Sequence, residues 1–155
     1  MLDWHERGGL VARGVLIDYK AYAEAKGIKY SCFDAHKITI ADMEAVAKHQ
    51  GTEFKFGDVL IVRSGFTEDL GGMNAQEQEQ AMGTHKSVGV EGSEEVAKWV
   101  WNHHFASVAG DAIAFEVIPP TLASGEIGQI SDLGKSNTAS SYVQGGGFAP
   151  IGRLD

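Results

Sequence analysis

The chain is short of cysteine, proline and positive charge, and it has no long apolar run. Cys32 is the only cysteine among 155 residues, so no intrachain disulfide framework is possible. A reducing compartment, the cytoplasm, is therefore the expected location. Lys and Arg number 13 against 21 Asp and Glu, a formal charge of -8, and the cations are scattered without a basic block. Such a surface repels phosphate backbones, so nucleic acid is not an expected partner. No stretch approaches the roughly 18 consecutive apolar residues that a membrane helix needs, and no membrane association is expected. Residues Met1 to Arg7 contain neither a basic segment followed by an apolar core nor a small-residue cleavage pattern. What is present, 43% hydrophobic and 22% charged residues, fits one globular domain.

Local patterns order the first 120 residues. Gly14-Val15-Leu16-Ile17-Asp18 reads as a buried strand ending in a carboxylate. Tyr19 to Lys26 suits a helix, because Ala21, Ala23 and Ala25 favour it and Gly27 is placed to stop it. Thr39 and Asp42 form a capping box for a second helix, with Ile40, Met43, Val46 and Ala47 on one face and Gly51 at its end. The run Val59-Leu60-Ile61-Val62 predicts a central strand buried on both faces. Asn74 with Glu77 starts a polar helix to about Met82, and Ser93 caps another to about His103, with Val96, Trp99 and Val100 inward. Phe105 to Ala109 should be a strand. This order of strands and helices makes the fold class α/β. Residues 121–155 carry seven of the 20 glycines and five serines, and are expected to form a loosely ordered tail.

Four residues near the third strand are candidates for chemistry: His103, His104, Asp111 and Glu116. Imidazole is a common zinc ligand, but adjacent side chains on a helix point about 100° apart and rarely chelate one ion. The helix C-terminal position of His103 and His104 favours a structural role, packing and interaction with the helix dipole. Asp111 and Glu116 follow the strand, where α/β folds place chemistry. They can bind a metal or act as a general base, and they can equally cap backbone amides at a turn. Gly83-Thr84-His85 is a third lure; a lone histidine beside Lys86 on a polar segment is ordinarily just solvated. Cys32 reads as a small packed residue, and the glycines at 8, 9 and 14 lack the order of a phosphate-binding loop.

Longer stretches carry more. Arg7-Gly8-Gly9-Leu10-Val11-Ala12-Arg13-Gly14-Val15-Leu16-Ile17-Asp18-Tyr19, then Phe56 to Phe66, then Phe105 to Asp111 with Phe115-Glu116, are together similar to the putative cyclase family, which includes kynurenine formamidases. The likeness covers about residues 4 to 120 and looks closest to a fungal-type branch. The resemblance implies a swivelling β/β/α fold, usually oligomeric, and a hydrolase acting on an amide, formamide or lactone-like carbonyl, arylformamidase chemistry of the kind used in tryptophan catabolism. It also implies zinc or manganese, which lowers the pKa of water and polarises the carbonyl. The family's main metal motif, HxGTHxD or a variant, belongs upstream of the segment that matches Met1. The triplet at 83–85 does not replace it, with Ala81 and Ser87 where a histidine and an aspartate would stand. After Pro119-Pro120 the pattern of relatives also stops. The expectation is thus a partial cyclase-like domain over 1–120, incomplete at both ends, holding no metal or other cofactor by itself. Asp111, His103, His104 and Glu116 would border its cleft. The expected partners are a small carbonyl substrate, if the chain is active, and further copies of the chain. The alternative is a non-catalytic interaction protein or small-molecule binding module that keeps the middle of the fold.

Overall fold

Parallel strands cannot be joined by tight turns, so each return across a parallel sheet must carry a crossover, usually a helix. The chain follows that rule in the computed structural model, which describes residues 6–120 and Gly128. Strand β1 (Gly14–Asp18) leads into α1 (Tyr19–Lys26), β2 (Lys37–Ile38) and α2 (Ile40–Gln50). Strand β3 (Val59–Arg63) is followed by α3 (Phe66–Gly71), α4 (Ala75–Gly83) and β4 (Gly89–Val90). Helix α5 (Glu94–Asn102) then delivers β5 (Ser107–Gly110). One sheet has the order β1-β3-β5, parallel throughout; the second pairs β2 with β4, also parallel. The architecture is mixed α/β with parallel sheets, as expected. The tail expected over 121–155 lies outside the described residues, Gly128 excepted. Among the described residues no helix is long and apolar enough to cross a membrane.

Helix ends fall where the caps place them. Asp18 accepts from Ala21 N at 3.0 Å to start α1, and Gly27, at φ 69°, closes it in the left-handed conformation that glycine adopts without strain. Thr39 and Asp42 form the complete capping box of α2, and Asn74 and Glu77 that of α4. Three short elements, α3, β2 and β4, carry too few residues for a periodic signal and emerge only from the structure.

Two corrections concern the third and fifth strands. Val59 to Arg63 was expected to be buried on both faces; instead burial alternates, with Leu60 and Val62 buried and Val59 and Ile61 only partly so. The core lies on one side, where Val15, Ile17, Leu60 and Val62 meet Ala23 of α1 and Met43, Val46 and Ala47 of α2. The other correction is an offset: β5 starts at Ser107, because Phe105 belongs to an aromatic cluster with Phe54 and Trp99.

The amino ends of the large sheet are tied by one carboxylate. Asp58, 2% exposed, accepts from Arg13 Nε at 2.8 Å, Arg13 Nη2 at 2.6 Å and Lys55 N at 2.7 Å. Its backbone carbonyl accepts from Ala106 N at 2.8 Å, while Val59 N donates to Arg13 O at 2.9 Å. The hydrogen bonds from Arg13 hold the Asp58 carboxyl below the usual carboxylate range.

The small sheet is closed by the segment 115–118. Val90 N donates to Phe115 O and Val117 N to Val90 O, at 2.9 and 3.0 Å. Gly89 makes this approach possible: a Cβ there would stand 2.3 Å from the Glu116 carbonyl carbon and 2.4 Å from Val117 N, both rigid backbone. Gly89→Ala should therefore cost about 3 kcal/mol in urea unfolding. Gly83→Ala, at a helical position with nothing within 4 Å, should be neutral or stabilise by roughly 0.5–1 kcal/mol. Equal effects of the two substitutions would refute the close-approach account.

Candidate functional site

The carboxyl ends of parallel strands are where α/β folds gather reactive groups, and here three strand ends converge. Strand β1 ends at Asp18, which accepts from Arg63 Nη1 at 2.8 and 3.0 Å; Arg63 also pairs with Glu68 of α3. Strand β3 runs into Ser64-Gly65, a turn whose glycine takes φ 85° before α3. Strand β5 is followed directly by Asp111. One Asp111 oxygen accepts from Ser64 N and Ser64 Oγ, both at 2.7 Å, and the other from Gly65 N at 2.9 Å.

The same turn is gripped from its far side. Ser64 O accepts from the Tyr30 hydroxyl at 2.5 Å and from Cys32 Sγ at 3.5 Å. The stem of Lys20 covers Gly65, and its ammonium pairs with Asp69 at 3.1 Å. Burial pushes the Cys32 thiol up to about 12, which makes it a packed donor and a poor nucleophile at neutral pH. Beside the turn lies a cavity of about 10 Å³, lined in part by Ile38, Ser64, Gly89, Asp111 and Phe115, with room for about one water molecule.

A partly buried polar cluster adjoins it. The Tyr19 hydroxyl is 2.8 Å from His36 Nε2, and the His36 ring stacks on Tyr30 with centroids 4.7 Å apart. Burial raises Tyr19 to about 12 and raises Tyr30 as well. Burial also lowers His36 from its ordinary 6.5, opposed in part by the charge of Asp42.

The four residues singled out from sequence do not share one place. His103 and His104 precede β5, whereas Asp111 follows it, and the strand alone separates them by roughly 13 Å. His103 is spent on packing: Nδ1 lies 2.8 Å from Trp99 O, and the ring stacks on Phe105 within the Phe54–Trp99 cluster. His104 takes φ 53°, stacks on exposed Phe56 at 4.6 Å, and offers its carbonyl to Gly57 N at 3.0 Å. Glu116, 1% exposed, sits at the bridge with Val90 against Gly89. His85 belongs to the turn after α4, where Thr84 Oγ1 donates to Ala81 O at 2.8 Å. Asp111 is therefore the one of the four at the strand ends. Ser64, Tyr30, Tyr19 and His36 were not singled out from sequence; the usable signal was a strand ending in Ser-Gly with an aspartate ending the next parallel strand.

The profile of the putative cyclase family matches residues 5–117. The chain belongs to that family. A crystal structure of a novel cyclase superposes with a TM-score of 0.60 at 26% identity, covering 72% of this chain and 34% of the other. The chain thus spans about a third of the length of that cyclase. No curated protein matches it.

The zinc or manganese that the cyclase resemblance implies needs several converging ligands. Among the described residues, no group of three or more His, Cys, Asp or Glu could hold an ion. Both Asp111 oxygens already accept from the Ser64–Gly65 turn, and His103 Nδ1 is committed to Trp99 O. The described residues do not fit the metal.

Two outcomes follow for this cyclase-family chain. Asp111→Ala should strand two partly buried amides and lose about 3 kcal/mol, with Asp111→Asn losing roughly half as much because one acceptor oxygen remains. Thermal unfolding followed by circular dichroism reads both, and an Asp111→Ala melting temperature equal to wild type would exclude the clamp. Stability should also depend on His36. Its folded pKa is lowered, so the unfolded chain binds the extra proton; stability is full above about 6.5 and falls as pH drops through that value. Asp58, with a depressed carboxyl, acts only below its ordinary 3.8, a separate window. Urea unfolding from pH 8 to pH 5 should show the decline in wild type and a flatter profile in His36→Gln.

Proposed function

We propose that the chain serves a carbonyl hydrolase of the cyclase family, cleaving an amide, formamide or lactone-type bond. Its own residues supply the sheet and the wall of the cleft. Zinc or manganese ligands would come from outside the described residues, in the rest of the chain or in another subunit. The observation that carries this reading is the Asp111 clamp on Ser64–Gly65 at the carboxyl end of the parallel sheet, together with family membership over residues 5–117. The clamp fixes a turn whose Ser64 lines a small, mostly apolar cavity, and a rigid cleft wall is what carbonyl chemistry asks of a scaffold.

A second reading rests on the spent donors and acceptors. A clamp with every oxygen engaged is also what a non-catalytic interaction protein would keep, since it stabilises the fold without needing a free acid or base. Metal content and turnover separate the two. The full chain, equilibrated with zinc or manganese and freed of excess, should bind the ion stoichiometrically and hydrolyse N-formylkynurenine or a simple aryl formamide. Protein that stays metal-free and inert at all concentrations would leave the interaction reading standing and remove the hydrolase.

A further inference from the structure

Strand β1 is an edge of the large sheet, yet part of its outward backbone is already engaged. Val59 N donates to Arg13 O, so the alternation of a parallel ladder turns Val15 and Ile17 toward β3 and leaves Gly14, Leu16 and Asp18 facing outward. Gln50, the last residue of α2, meets two of these outward groups at once: its Nε2 donates to Leu16 O at 3.3 Å and its Oε1 accepts from Asp18 N at 3.0 Å. One residue of a further parallel strand would donate and accept at those same two points. A side-chain amide thus stands in for a strand. Two residues earlier, such a strand would meet Gly14 O and Leu16 N, and no group among the described residues takes that pair.

The open pairing point faces a groove of about 420 Å³ between β1 and the loop after α2, lined in part by Gly14, Leu16, Gly51, Thr52, Glu53 and Lys55. Ligand sites commonly have roughly 300–1,000 Å³. The loop is held off the strand at a fixed distance, because Arg13 Nη2 donates to Glu53 O at 2.8 Å while Gln50 bridges to Leu16 and Asp18. The walls are mostly polar but carry little net charge: Arg13 is answered by Asp58, and Lys55 stands with Glu53. On a chain of formal charge -8 such a neutral groove suits an uncharged ligand whose main chain does the pairing. An added residue in register with Leu16, which is 43% exposed, gains from an apolar side chain, and its two neighbours face the Thr52 side. The groove shares no lining residue with the cavity beside Ser64 and Asp111, so it stands apart from the carbonyl-hydrolase reading.

We infer that the β1 edge from Gly14 to Asp18 is a strand-addition site for a short, uncharged, extended peptide, and that Gln50 holds the second of its two pairing points until the peptide displaces it. The probe is the blocked peptide acetyl-Thr-Val-Thr-Val-amide, whose threonines meet the two pairing points and whose first valine lies beside Leu16. Calorimetric titration of the full chain should show saturable binding with a dissociation constant below about 1 mM. At saturation the Leu16 amide proton should exchange more slowly. The same peptide methylated on both threonine nitrogens, which removes the donors to Gly14 O and Leu16 O, should bind the wild-type chain at least roughly tenfold more weakly. Gln50→Ala removes the competing amide and should tighten binding roughly threefold to tenfold. The methylated peptide is read on the wild-type chain, so that arm decides the matter even where Gln50→Ala disturbs the fold. Absence of saturable binding, equal affinity for the methylated peptide, or a folded Gln50→Ala chain that binds no tighter would each overturn the assignment.

Discussion

Parallel pairing leaves strand ends untied, and in this chain carboxylates tie them. Asp58 joins Arg13, just before β1, to the loop before β3, and its carbonyl takes the amide of Ala106 before β5. Asp111 after β5 holds the turn after β3, and Asp18 at the end of β1 holds Arg63 at the end of β3. Each connection spans 45 or more residues of sequence, so each replaces local turn chemistry with a long-range, charge-assisted hydrogen bond. The helices then need only cover one face, and their caps decide where they begin and end.

That solution constrains what the strand ends can do. A carboxylate that accepts three hydrogen bonds from one turn has few lone pairs left to offer a metal, because those bonds already occupy both of its oxygens. The arrangement at Asp111 therefore favours rigidity of the Ser64–Gly65 turn. His103 shows the same economy at the opposite end of β5, where a ring nitrogen tied to Trp99 O and a ring face tied to Phe105 convert a potential ligand into packing.

The legible parts of the fold were those with local signals. Capping boxes at Thr39–Asp42 and Asn74–Glu77, glycines at 27 and 51, and the apolar run at β3 each act within a few residues, and the α/β class followed from their order. Short strands such as β2 and β4 have only two residues each, and their existence depends on partners some fifty positions away. The site was less legible for the same reason. Asp111 could be marked because it follows a strand, but nothing near it in sequence reveals that its partners are Ser64 and Gly65. His103 and His104 looked close to Asp111 because eight residues are few on paper. A strand lies between, and an extended chain converts few residues into a long distance.

Strand β3 shows where composition and architecture part. Its residues Val59, Leu60, Ile61 and Val62 are apolar on both parities, while α1 and α2 cover only the even-numbered pair. A strand with one wet face ordinarily alternates apolar with polar residues, because each partly exposed Ile or Val forgoes some of its burial and no polar requirement asks for it. Leu16 beside Ile61 repeats the pattern on β1, whereas Asp18 and Arg63, one pleat further on, revert to charge. The apolar surface is therefore bounded and not diffuse: it ends at an ion pair and at the Gln50 side chain that seals the β1 edge.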